Sequence, residues 1–179
     1  MHEHDTALLL IYARGIIDVE EQIAPVVFLG ADGKTHERTF DFRTTRIGGE
    51  RAVYDVKNKA GADTAAYRDG MVRVAVAAIP GTADRVYVVT NQNMMPDRLQ
   101  RVKLFHASRF PQPEFDRTLE QFVGEFSGQA VLRDLLAAAG LGDDGFQAAV
   151  RLIRQDVLFV PEAIRITLSC TVSKVEVAK

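Results

Sequence analysis

The chain has 179 residues, 47% of them hydrophobic and 26% charged, with a formal net charge of −2 and one cysteine. These values describe a soluble globular protein of one ordinary domain or two small ones, and they exclude a basic nucleic-acid arm, a disulfide framework and a cysteine-ligated zinc site. No apolar run approaches a bilayer span, and the start Met-His-Glu-His-Asp lacks a signal peptide's basic region, so a cytoplasmic protein with no membrane partner is expected.

Residues 6–14 have helical character, with Leu8, Leu9, Ile11 and Tyr12 as candidate buried positions and Gly15 as the stop. Residues 23–29 read as a strand closed by the turn Gly30-Ala-Asp-Gly33. A hairpin comes next, reversing at Ile47-Gly48-Gly49-Glu50, where paired glycines supply the positive φ that a tight turn needs. Asp63 is placed to cap a helix running to about Ala78, and Arg85-Val-Tyr-Val-Val-Thr90 reads as a buried strand. The order helix, strand, hairpin, helix, strand predicts an α/β fold with a mixed sheet flanked by helices.

The hairpin carries the chemistry. Thirteen residues separate Asp41 from Asp55, and a period of two puts Thr39, Asp41 and Arg43 on one face with Phe40 and Phe42 on the other. On the returning strand Val53, Asp55 and Lys57 share a face. Where the two polar faces coincide, Asp41 and Asp55 converge with Lys57 beside them. Two hard carboxylates suit Mg²⁺ or Mn²⁺, and a neighbouring ammonium suits a water nucleophile or a phosphate. Aspartate is a poor strand residue, yet it stands twice among aromatic and β-branched neighbours here.

Met95-Pro96 opens a helix to about Ala107, and Phe110-Pro-Gln-Pro-Glu114 marks an expected domain boundary at residue 111. Residues 115–126, 130–139 and 143–155 read as three short helices, followed by strands at 157–160 and 164–172. That sequence of elements is the winged-helix plan, predicted for residues 112–179. Its candidate recognition helix begins Asp143-Asp144, which repels phosphate, so protein docking or a structural role is favoured although Arg151 and Arg154 share a face. Arg101, Lys103, His106 and Arg109 form a basic strip that reads equally as a phosphate contact or a solvated helix face. His2 and His4 read as solvent-exposed, and His36 as a surface loop residue.

A PD-(D/E)xK nuclease core has this helix, this Asp…Asp-x-Lys hairpin, a second helix and a further strand, and residues 1–110 resemble it. More narrowly, the chain resembles the TnsA-like endonuclease subunit of heteromeric bacterial transposases. The resemblance runs through Val19-Glu-Glu-Gln22, Arg38-Thr-Phe-Asp-Phe42, Tyr54-Asp-Val-Lys57 and Val86-Tyr-Val-Val-Thr90 in order, then the stretch 98–109 and the winged helix. It implies a restriction-endonuclease-like fold and Mg²⁺-dependent cleavage of DNA at transposon ends, alongside a transposase subunit and an ATPase regulator. Self-association is left open. The resemblance also implies a glutamate on the first helix: Glu3 takes that place, with Glu20 and Glu21 as alternatives. Asp41, Asp55 and the carbonyl of Val56 would then hold the metal, and Lys57 would orient water or stabilise the phosphorus centre. Two rivals keep the fold: a stand-alone nuclease of restriction, repair or phage defence, and a catalytically idle scaffold.

Overall fold

The computed structural model describes residues 2–175, and the chain divides into two compact units, Met1–Met95 and Pro96–Lys179. In the first, α1 (His2–Ile11) is followed by β1 (Ile16–Glu21), β2 (Val26–Leu29) and β3 (Thr35–Arg38). Then come β4 (Phe42–Arg46), β5 (Arg51–Val56), the short α2 (Lys59–Ala62), α3 (Ala65–Ala78) and β6 (Arg85–Val89). The main sheet has the order β1-β4-β5-β6, with β6 parallel to β5 and the other pairs antiparallel, while β2 and β3 form a separate two-stranded sheet. The fold is therefore mixed α/β, as expected.

Each side of the main sheet carries its own apolar cluster. Val53 packs with Phe40 and with Met71, Val74 and Ala78, which recur at helical spacing along α3. Phe42 packs with Ala7 and Leu10 of α1, with Tyr54 and Val56 alongside. Phe40 and Phe42 thus lie in different clusters, which corrects the expectation that they share a face. The alternation breaks at Asp41, which lies in a bend just ahead of β4.

Other sequence expectations shift as well. Residues 16–21 form a strand ahead of the one expected at 23–29, paired with β4 through Glu20 opposite Arg43. Thr64, rather than Asp63, caps α3, its side chain accepting the Tyr67 N–H at 3.3 Å. Gly48 and Gly49 do make the hairpin turn, with φ of 96° and 88°.

The second unit opens with α4 (Pro96–Ala107) and α5 (Pro113–Glu125), then β7 (Gln129–Val131) and α6 (Leu132–Ala138). A 3-10 turn (Gly142–Gly145) leads into α7 (Phe146–Arg154), and β8 (Leu158–Phe159) and β9 (Thr171–Lys174) complete a sheet of order β7-β9-β8. Leu119, Leu132, Leu136, Val150 and Ile166 are among the residues fully enclosed in its core. The predicted strand at 164–172 is mostly irregular chain, and only its last two residues enter β9. The boundary also moves, because α4 is tied to the second unit. Gln100 donates to the carbonyl of Ile166 at 3.0 Å, and Arg101 to those of Val160, Pro161 and Ile164 at 3.0, 2.6 and 3.2 Å.

Candidate functional site

Asp41 is held from three directions. Its carbonyl accepts the N–H of Gln22 at 3.1 Å, and its own N–H donates to Tyr54 at 3.0 Å. Its carboxylate accepts the Val56 N–H at 2.6 Å, in the place a strand carbonyl would take beyond the start of β4. A short polar residue at this bend therefore ties the end of β5 to the chain entering β4.

Asp55 stands on β5 opposite Val88 of β6, 3% exposed, on the side that α3 covers. Both its oxygens are engaged. Oδ1 accepts from Arg38, through Nε at 3.1 Å and through Nη2, and Oδ2 accepts from the Tyr67 hydroxyl. The guanidinium carbon of Arg38 also lies 5.7 Å from the centre of the Tyr67 ring. Arg38 comes from the end of β3 and Tyr67 from the first turn of α3, so three elements meet on one carboxylate.

Charge at this point is unbalanced towards the negative. Burial pushes the Asp41 carboxyl above the ordinary aspartate value; its bond from Val56 pulls it down, the charges of Asp55 and Glu3 push it up, and Arg38 pulls it down. Glu3, exposed in the first turn of α1, is thus close enough for its charge to be felt at Asp41. Tyr67 is pushed far above the usual phenol range, first by burial and then by its bond to Asp55, so it remains a proton donor. Arg38 stays charged despite its burial, because its bonds and attraction to Asp55 outweigh desolvation.

Lys57 stands one residue beyond the end of β5 and is exposed, its N–H donating to the carbonyl of Val89 at 2.9 Å. Its stem runs over Gly61 of α2: a methyl there would meet Lys57 Cε at 3.2 Å and Asn58 Oδ1 at 2.9 Å. Asn58 Oδ1 accepts the Gly61 N–H at 2.7 Å and starts α2, so the cap and the lysine share this small space.

The charges of Glu3 and of Asp55 are thus both felt at Asp41, and Val56 and Lys57 follow Asp55 along the chain. In kind, these oxygens suit a hard divalent ion: two aspartates, a backbone carbonyl and an excess of negative charge. In arrangement, no group of three or more His, Cys, Asp or Glu side chains is assembled to hold a metal among the described residues. At Asp55, Arg38 takes one of the two carboxylate oxygens.

The alternative glutamates are placed elsewhere. Glu20 receives two bonds from Arg43, at 2.8 and 2.7 Å, and this pairing, chiefly its hydrogen bond, holds its carboxyl below the ordinary value. Glu21 is exposed on β1 opposite Phe42. His36 bonds Asp32 at 2.9 Å within the β2–β3 hairpin, and His4 lies 3.8 Å from Asp5. The His2 side chain lies outside the described residues.

Arg38 and Tyr67 hold Asp55, contacts that the sequence pattern does not assign. Tyr67 is legible in principle, since it starts the Tyr67, Met71, Val74, Ala78 stripe and so faces the sheet. Arg38 has no such signal, because its partner is 17 residues away. Two further arginines turn inward. Arg101 grips three carbonyls, and Arg151, 9% exposed, binds Asp116, Gln112 and the carbonyls of Ser108 and Phe110. Both are internal ties, so neither is a phosphate contact in this arrangement.

No family model matches the chain, and no curated protein is significantly similar to it. No helix among the described residues is long and apolar enough to cross a membrane.

Proposed function

We propose that the protein is a metal-dependent DNA endonuclease subunit of the PD-(D/E)xK type, cutting strands at transposon ends beside a partner transposase. The observation that carries this reading is the meeting of Asp41 and Asp55 at the end of β5, within the charge field of Glu3 and next to Lys57. The spacing supports it, since Lys57 follows Asp55 by two residues, just beyond the end of β5.

Asp41, Asp55 and the Val56 carbonyl would hold Mg²⁺ or Mn²⁺, which supplies charge neutralisation at the phosphate and a more acidic bound water. Asp41 presents its carboxylate from a backbone fixed at two points, and the Val56 N–H orients the carboxylate itself. Tyr67 fixes the rotation of Asp55 through a neutral donor. Lys57 brings a compact positive charge with three donors to the phosphorus centre as oxygen crowds around it. Water adds to phosphorus and the P–O3′ bond breaks, leaving a 5′-phosphate and a 3′-hydroxyl.

The second unit supports a subunit working through partners. The order α5, β7, α6, α7, β8, β9 with the sheet β7-β9-β8 fits a winged helix. Asp143 and Asp144 precede α7, and its Arg151 is turned inward, so this element suits protein docking better than base reading. Target choice then falls to a transposase and an ATPase regulator. The Arg38–Asp55 pair favours a second reading, an idle scaffold whose carboxylate is permanently neutralised.

The test is cleavage of supercoiled plasmid in Mg²⁺ or Mn²⁺, with and without a candidate transposase. Asp41→Ala and Lys57→Ala are each expected to abolish nicking, by at least about a hundredfold, while circular dichroism stays native. Cutting retained by either variant would remove the assignment.

A further inference from the structure

We infer that Arg38 is a positioning residue that stands in for a divalent cation: it holds Asp55 in the absence of metal and surrenders the carboxylate when metal binds. This rests on the reading of Asp41 and Asp55 as metal ligands. An aspartate only 3% exposed needs a positive partner, because a buried charge left alone is costly to keep ionised. Arg38 is that partner, through two of its nitrogens on a single oxygen.

A metal ion and this guanidinium compete for the same place. Oδ1 already accepts two N–H groups, and Oδ2 accepts the Tyr67 hydroxyl. A cation reaching Oδ1 would need the lone pairs that Arg38 uses and would meet its positive charge at close range. Tyr67 presents no such conflict, since its hydroxyl is neutral. Exchange therefore removes Arg38 and leaves Tyr67 holding Asp55 in the same rotation.

The position of Arg38 permits this. Its side chain is 33% exposed, against 4% for that of Asp55, so the guanidinium has a path into water while the carboxylate does not. It also extends from β3, which is paired with β2 and not with the strand that bears Asp55. Its withdrawal breaks no hydrogen bond of the main sheet.

The experiment is calorimetric titration of the whole chain with Mn²⁺ alone, comparing wild type, Arg38→Gln and Asp55→Asn. Arg38→Gln is expected to bind Mn²⁺ about tenfold more tightly than wild type, and Asp55→Asn to lose binding. A purely structural arginine would not raise metal affinity when removed. Because Arg38→Gln exposes the fold to an unpaired carboxylate, the wild type is followed as well, by the NMR resonance of the Arg38 Nε–H group during a Mg²⁺ titration. That resonance is expected to move in step with metal saturation. Equal Mn²⁺ affinity in wild type and folded Arg38→Gln, or an unmoved resonance at saturation, would overturn the exchange while leaving the metal site standing. No metal binding by wild type or by folded Arg38→Gln would overturn both and make the ion pair permanent.

Discussion

Asp41 illustrates how a site residue can work against the fold that holds it. Its carboxyl binds a proton more tightly in the folded chain than its ordinary value of 3.8, so the folded state carries more protons there than the unfolded state. Its contribution to stability is therefore greatest below that value and is lost as pH rises through the raised one. Asp41→Asn, which can still accept the Val56 N–H, is expected to be more stable than wild type near neutral pH by about 0.5 kcal/mol. The gain stays small because Asp41 is only partly shielded from water. Urea midpoints between pH 4 and pH 7 should show the two proteins diverging as pH rises, and the same variant should not cut DNA. The candidate carboxylates and Lys57 are legible in the sequence because they sit at fixed offsets around a glycine turn. Their surroundings are not: Arg38 and Tyr67 reach Asp55 through tertiary placement, which leaves no periodic mark.

Among the elements, α2 shows how four residues can set the position of a lysine. Lys57 lies over Gly61, beside the Asn58 cap, and a methyl group at 61 would press on both. Gly61→Ala is expected to reduce cleavage about tenfold with little change in secondary structure, as misplaced catalytic groups commonly do. A defect in single-turnover rate at saturating DNA would place the fault in positioning; a defect in melting alone would not. Elements with strong local codes are legible in the sequence: the Gly48-Gly49 turn, the apolar stripe of α3 and the β-branched run of β6, although β6 is an edge strand with no buried residue rather than the buried strand expected. β1 escapes such a reading because Ile-Ile-Asp-Val-Glu-Glu carries three acids and resembles solvated chain, although Glu20 is neutralised by Arg43 across the ladder. The stretch 164–172 misleads the other way, since its buried Ile166 and Cys170 sit in irregular chain that the Gln100 side chain of α4 ties down.

On the scale of the whole molecule, side-chain ties to carbonyls decide where one unit ends and the next begins. The prolines at 111 and 113 have the composition of a linker, yet Arg151 of α7 reaches back to the carbonyls of Ser108 and Phe110 at 3.1 and 3.0 Å. A fragment of residues 96–179 is expected to unfold cooperatively, and one of residues 112–179 to be weaker by about 3 kcal/mol or more, since it leaves the buried Arg151 short of partners. Chemical denaturation of the two fragments checks this, and equal stability would return the boundary to residue 111. The inward turn of Arg101 and Arg151 reaches further than stability. A protein binds bare duplex largely by expelling the ions condensed on it, one for each phosphate its cations neutralise. Here two of the arginines best placed by sequence to do so are committed to the protein's own backbone. The isolated chain should accordingly show a shallow dependence of DNA affinity on salt, equivalent to about three released ions or fewer. Its encounter with a DNA end would then be governed by tethering, through the local concentration a bound partner imposes, and no longer by the ionic strength of the solution.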